Sequence, residues 1–316
     1  MKYSVISSFL GSSRDRFHEY NKPLTLEEKF AAASKIKGNN AVECVFPYEA
    51  SSVDETQALM KKYNMGISAV NVNIKAEPEF KMGGITSENP ETRKKAISFM
   101  KKGKEFAKAL GVDRIQVCPL GDGYEFGFEA EYEKTWQYLI DAFTETADYL
   151  PEITTYIEYK PSETRGKCFL DTAAKTALLI KTIGRSNIGV TLDFGHSVYG
   201  GNNPAEELSL LQSCGIPYYI HINDNDGKWD WDYFTASKHV IEYLEFIYYL
   251  RKFGYDGYLV SDTSPTRTGI QSTFEANIRI TEKFLKIADS LSFDSARKSG
   301  DYMDIWHEVE NKLFRE

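Results

Sequence analysis

Short runs rich in β-branched and aromatic residues alternate with longer segments of helical period from the first residues to about residue 290. The β-rich runs are 3–9, 41–46, 67–74, 113–118, 153–159, 187–193, 217–222 and 257–262. Each is short, largely apolar and bounded by turn formers, the pattern of strands buried on both faces. The segments 25–37, 51–64, 90–110, 129–149, 171–183, 204–213, 236–253 and 273–290 carry helix-like spacing instead. In 90–110, Ala96, Phe99, Met100, Phe106, Ala107 and Leu110 recur on roughly one face. Asn89 before Pro90, and Asn203 before Pro204, set a capping side chain ahead of a first-turn proline, which starts a helix well. Gly38, Gly111, Gly184, Gly215 and Gly254 each follow a helical run, where a C-terminal cap calls for positive φ.

Eight strands, each followed by a helix, predict an α/β chain folded as a single (β/α)₈ TIM barrel over residues 1–290. An open doubly wound sheet alternates in the same way, but no Gly-rich phosphate fingerprint follows the first strand. Residues 291–316 form a separate C-terminal tail, in which Tyr302, Ile305, Trp306, Val309 and Leu313 follow a helical period. That apolar face has two expected uses, docking on its own barrel or reaching a second subunit.

Composition removes some functions without selecting one. At 316 residues a sizeable core forms without disulfides or a structural metal. Lys and Arg total 38 against 46 Asp and Glu, a net charge of −8, which opposes nucleic-acid and anionic-membrane partners. The four cysteines, Cys44, Cys118, Cys168 and Cys214, are dispersed and form no CxxC pair. With a short, weakly charged apolar N-terminus and no run near the ~20 residues of a membrane span, they place the expected compartment in the cytoplasm.

Catalytic groups of such barrels gather at the C-terminal ends of the strands. The last four predicted strands end in Glu158, Asp193, His221 and Asp262, one ligand-type side chain each. Three carboxylates and an imidazole converging on one mouth suit Mn²⁺, Co²⁺ or Mg²⁺ better than a thiolate-seeking metal. Lys160, two residues beyond Glu158, points to the same side of an extended chain and could meet a developing substrate oxyanion; pairing with Glu163 at the surface is its plain alternative. His196 follows Asp193 within LDFGH, in an expected loop, as a possible ligand of a second cation. Asp230 and Asp232 alternate around Trp231 and could face that same ion. His18, His239 and His307 have no such company.

The segments 80–96 (FKMGGITSENPETRKKA), 121–125 (GDGYE), 157–166 (IEYKPSETRG), 192–196 (LDFGH), 229–232 (WDWD) and 261–269 (SDTSPTRTG) fall in the order seen in one family. The chain resembles the xylose isomerase-like barrels, metal-dependent sugar isomerases and epimerases, with the best local matches to xylose and rhamnose isomerase. The likeness covers most of residues 67–270. It implies that Glu158, Asp193 and Asp262 bind a first cation, and that His196, Asp230 and Asp232 hold a second one bridged by Asp193. It also implies that Lys160 holds the substrate carbonyl oxygen.

Departures from xylose isomerase qualify this. Asp193 stands where that enzyme has a bridging glutamate, as it does in rhamnose isomerase. Asn223 replaces a metal-binding aspartate, which makes His221 the expected ligand, as in the ketose 3-epimerases. No histidine follows the second strand (VECVFPYE) to open a sugar ring. The expected function is aldose–ketose isomerisation with Mn²⁺, Co²⁺ or Mg²⁺, with catalytic roles for Glu158, Lys160, Asp262 and His196. Substrate contacts are expected from Lys160, Trp229, Arg267 and Tyr124. The alternatives are ketose 3-epimerisation by proton transfer, and β-elimination from 3-keto C-glycosides with a partner subunit. The expected partner is a small carbohydrate. The chain is expected to be a homo-oligomer, or a hetero-oligomer on the lyase reading.

Overall fold

The computed structural model describes residues 1–314. Eight parallel strands close into a barrel. In chain order they are Lys2–Ile6, Ala41–Phe46, Gly66–Val72 and Arg114–Val117, then Thr154–Glu158, Ile188–Asp193, Tyr218–Ile222 and Tyr258–Ser261. The last strand closes on the first in register, Tyr3 opposite Leu259 and Val5 opposite Ser261. The predicted TIM barrel is the observed one.

The helices are α1 (Leu26–Ala33), α2 (Val53–Tyr63), α3 (Pro90–Ala109), α4 (Tyr132–Asp148) and α5 (Ala173–Ile183). They continue with α6 (Phe194–Tyr199), α7 (Pro204–Ser213), α8 (Val240–Lys252) and α9 (Ile270–Ala288). The tail supplies α10 (Asp294–Ser299) and α11 (Tyr302–Leu313). Among the described residues no helix is long and apolar enough to cross a membrane.

Local chemistry accounts for the boundaries. Asn89 and Asn203 accept hydrogen bonds from the first turns of α3 and α7, and Thr25 with Glu28 forms a reciprocal capping box on α1. All five glycines marked in the sequence adopt positive φ, Gly184 at +68° where it closes α5. The first strand ends at Ile6, earlier than its β-rich run, because Ser7–Leu10 turns as a 3₁₀ helix. The 236–253 run begins its helix only at Val240, because Asp224 binds the backbone N–H groups of Lys238 and His239 ahead of it. Two small antiparallel ribbons were not legible: Ser13–Arg14 with Glu19–Tyr20, and Gly123–Tyr124 with Lys167–Cys168. Two-residue strands are too short to leave a period.

The tail lies along α8, with Tyr302, Ile305 and Val309 facing Leu244 and Tyr248 across a hollow of about 340 Å³. The loops above the third, fourth and fifth strands are joined by one side chain. Arg165 is nearly buried and donates to the carbonyls of Lys81 (2.7 Å) and Gly121 (3.1 Å) and to the Glu125 carboxylate (3.0 Å). Such multiple charge-assisted bonds suit the planar guanidinium.

Asp122, beside this clasp, accepts from the backbone N–H of Thr86 (2.7 Å) and from its hydroxyl (2.5 Å). Burial pushes its carboxyl up to about 6 against these bonds, from an ordinary 3.8. Between those values the folded chain holds a proton that the unfolded chain has released. The stability this group contributes is therefore full below about 4 and is lost as pH rises through about 6. Asp122→Asn is expected to remove that slope, changing the pH dependence of unfolding by ~3 kcal/mol across the window. Urea titrations of both proteins from pH 4 to 7 measure it, and parallel pH profiles would refute it.

Candidate metal centre

Each of the four strand-end residues interrupts an apolar strand at its C-terminal limit, so the backbone that buries the strand also delivers a polar tip to the barrel mouth. Glu158, Asp193 and His221 are buried, and Asp262 lies just past the last strand, partly open. One ligand atom from each lies within 4.8 Å of all the others. The fifth to eighth strands are consecutive neighbours around the barrel, so the four donors form an arc.

His221 is gripped from both sides. Its Nδ1 is 3.1 Å from Glu158 and 3.2 Å from Asp262, and its Nε2 is 3.2 Å from Glu43. Glu43 also accepts from the Tyr219 hydroxyl (2.9 Å) and the Asn71 amide (2.8 Å). A carboxylate behind a ligating imidazole fixes its tautomer and orientation. Gln116 donates its amide to the second oxygen of Glu158. Asn223 donates to Asp193 (3.1 Å) and accepts from the Gly195 N–H (2.7 Å). A side chain at Gly195 would meet that Asn223 oxygen at 2.5 Å, so the close approach requires glycine.

The electrostatics describe a ring short of positive charge. Burial, reinforced by repulsion from Asp262 and Glu158, lifts the Asp193 carboxyl to about 7. Burial also opposes charge on Glu158, but His221 outweighs it and brings the carboxyl down to about 2. Burial disfavours the His221 imidazolium, yet Glu43 and Glu158 hold its pKa well above the ordinary value. A divalent cation fits this oxygen-rich, buried set and would take over the compensation that His221 supplies with a proton.

The second expected ligand set is differently arranged. His196 is not in a loop but on α6, a helix whose N-cap is Asp193, its side chain accepting the His196 N–H at 2.8 Å. Its Nδ1 faces the Tyr159 carbonyl at 2.9 Å and its Nε2 lies 3.0 Å from Asp230. Lys160 is buried, not at the surface, and contacts Glu163 and, at 2.8 Å, the same oxygen of Asp230. Among the described residues only the Glu158–Asp193–His221–Asp262 group gathers at ligating distance. Asp232 stands at the mouth with no side-chain hydrogen bond or ion pair among the described residues.

A hollow of about 280 Å³ opens over these groups, lined by Glu158, Lys160, His196, Asp230, Asp232 and Asp262. Three residues expected to contact substrate do not line this hollow. Tyr124 packs against Tyr132 and Phe169 and braces a ribbon. Arg267 is exposed and borders a separate depression with Tyr20 and Phe234. Trp229 stands outside the hollow, edge-on to Tyr199. Aromatic or cationic character near a motif does not say which wall of a loop a side chain joins. Glu43 and Gln116 went unread, although each is a lone polar residue in an apolar strand and that contrast is visible in the sequence.

Glu43→Gln is expected to weaken divalent-cation binding by about 10–100-fold through loss of the brace on His221. Isothermal titration with Mn²⁺ measures it; unchanged affinity would remove Glu43 from the support of the site.

A closed parallel barrel with a carboxylate–imidazole ring at the C-terminal mouth defines the chain as a TIM-barrel protein with a candidate metal centre. The model of the xylose isomerase-like TIM barrels matches residues 30–283, and the chain belongs to that family. Xylose isomerase of Thermus caldophilus is 24% identical over 208 residues, 64% of this chain and 54% of that enzyme. The chain thus matches about half the length of that relative. Among solved structures, a D-tagatose 3-epimerase-like protein superposes with a TM-score of 0.70 at 21% identity, covering 92% of this chain and 98% of that one. D-Allulose 3-epimerase from Methylomonas sp. gives 0.70 at 15% identity over 90% and 96% of the two chains. These two likenesses are of fold.

Proposed function

We propose that the chain is a divalent-cation-dependent sugar epimerase that moves a proton at the carbon beside a ketone, which in a free ketohexose is C3. The carrying observation is the four-donor arc, the one such group among the described residues, with Glu158 and Asp262 at its two ends. Direct pairing of His196 and Lys160 with Asp230 supports a one-cation site, because it engages atoms that a second ion would need. Family membership supports sugar isomerase or epimerase chemistry in general.

A cation held by Glu158, Asp193, His221 and Asp262 would supply Lewis acidity to the sugar carbonyl. Glu158 and Asp262 approach a bound sugar from opposite ends of the arc, which gives them its two faces. One takes the proton from carbon, leaving an enediolate. The other returns a proton to the opposite face, inverting the centre; the reverse reaction exchanges their roles. Lys160 donates to a substrate oxygen from the rim, its charge held in place by Glu163 and Asp230.

Lys160 in the hollow also favours a second reading, aldose–ketose isomerisation. Proton NMR of the Mn²⁺-loaded chain in D₂O, with free ketoses, aldoses and 3-keto-glycosides, separates them. Inversion beside the ketone with deuterium incorporated is the expected result. Aldose–ketose conversion without deuterium would establish a hydride shift instead, and release of the aglycone would establish elimination. No exchange or conversion with any of these would overturn the proposal.

A further inference from the structure

The hollow over the metal centre borders a second one at the barrel mouth. Glu163, Asp230 and Asp232 line it on one side and, on the other, a second chamber of about 490 Å³. The outer chamber is thus larger than the inner one, and only together do they reach the middle of the range of small-molecule sites. Its walls come from the tip of the 13–20 ribbon, from residues 229–232, and from Glu163, Ser264 and Thr266. Here the protein exposes three large rings together: Phe17 at 78%, Trp231 at 46% and Trp229 at 41%. The Trp231 ring lies parallel to that of Tyr233, at an interplanar angle of 7° with 6.4 Å between centroids. Grouped, exposed aromatic surface beside a polar cleft marks a ligand contact more than a solvated loop.

Two of the residues shared by both chambers are strained. Glu163 and Asp232, neither of them glycine, adopt φ of +120° and +49°. Such conformations cost of order 1–3 kcal/mol each and concentrate at ligand clamps. The charge is not that of a phosphate site. Two guanidiniums line the outer chamber, Arg14 bound to Glu19 at 2.8 Å and Arg16 lying over the Phe17 ring at 5.4 Å, against four carboxylates, Asp15, Glu163, Asp230 and Asp232. The chamber suits a neutral ring with a flat apolar face.

We infer that the substrate is a keto-sugar glycoside rather than a free monosaccharide, its reacting ring over the metal arc and its substituent ring in the outer chamber against Trp231 and Phe17. This rests on the sugar-epimerase reading of the inner site. The substituent's recognisable chemistry, a flat neutral ring, is shared by a second sugar and by an aryl group.

Three probes without a free carbonyl test it by isothermal titration on the Mn²⁺-loaded full chain: methyl β-D-glucoside, methyl β-cellobioside and p-nitrophenyl β-D-glucoside. At least one two-ring probe is expected to bind tenfold or more tightly than the one-ring probe. Preference for the cellobioside assigns the chamber to sugar, and preference for the nitrophenyl glucoside assigns it to aryl. Trp231→Ala and Phe17→Ala are each expected to erase the preference, with Mn²⁺ affinity reporting an intact fold. Equal affinities, a preference that survives both substitutions, or binding of no probe would overturn the inference. The epimerase reading stands or falls separately, on deuterium exchange into the ketoses and 3-keto-glycosides tested by NMR.

Discussion

Glu158→Gln and Asp262→Asn are each expected to reduce epimerisation by about 10²–10⁴-fold, the usual loss when a positioned acid or base is removed. Their exchange behaviour should differ. If the two carboxylates serve opposite faces of the sugar, each variant retains deuterium exchange from the epimer whose proton the remaining carboxylate removes. The two variants would then be complementary, one exchanging the first epimer and the other exchanging the second. Both residues also belong to the cation arc, so metal content must be measured in the same samples, and only variants that keep bound Mn²⁺ are informative. Loss of exchange from both epimers in a Mn²⁺-loaded variant would contradict the two-base assignment. Retention of a tenth or more of wild-type turnover in either would contradict it too.

Lys160→Met should damage both folding and turnover, for separable reasons. The ammonium is buried and bridges Glu163 and Asp230, and Asp230 is itself inaccessible. Removing one member of a buried ion pair leaves an uncompensated charge, at a cost of about 3–5 kcal/mol. Attraction to Asp230 and Glu163, acting against burial, holds the lysine pKa well above its ordinary value, so the group is charged throughout the working range. Turnover is expected to fall about 10²-fold or more through loss of the donor to the substrate oxygen. Lys160→Arg separates the two effects, restoring much of the stability but little turnover because the planar head reaches differently. Thermal unfolding and initial rates on the three proteins test this. Wild-type stability in Lys160→Met would show that the pair is not structurally important.

How much was legible follows from where each signal resides. Strand and helix alternation gave the barrel, because each element has its own period and the crossover rule leaves few topologies. Glu158, Asp193, His221 and Asp262 were legible together because each ends an apolar strand, and a barrel converts four sequence positions into one place. The pairing of Lys160 with Asp230 spans 70 positions and depends on how the 226–232 loop folds back. No local pattern announces it. The α6 helix was missed because it is only six residues long and its cap, Asp193, reads equally well as a strand-end ligand. Tyr124 and Arg267 stand apart from the hollow over the arc for a related reason: a motif gives the order of residues along a loop but not the direction of each side chain.

The Arg165 clasp bears on how such a barrel can be rebuilt. Since one guanidinium ties Lys81, Gly121 and Glu125, the three successive crossover loops form one interlocked module. Grafting any one of them from a relative with another specificity would strand a donor or acceptor at the seam. Transplanting all three with the arginine keeps every partner. Specificity swaps in this scaffold should therefore succeed as a cassette and fail piecemeal, and the unit of inheritance above these three strands is the trio of loops.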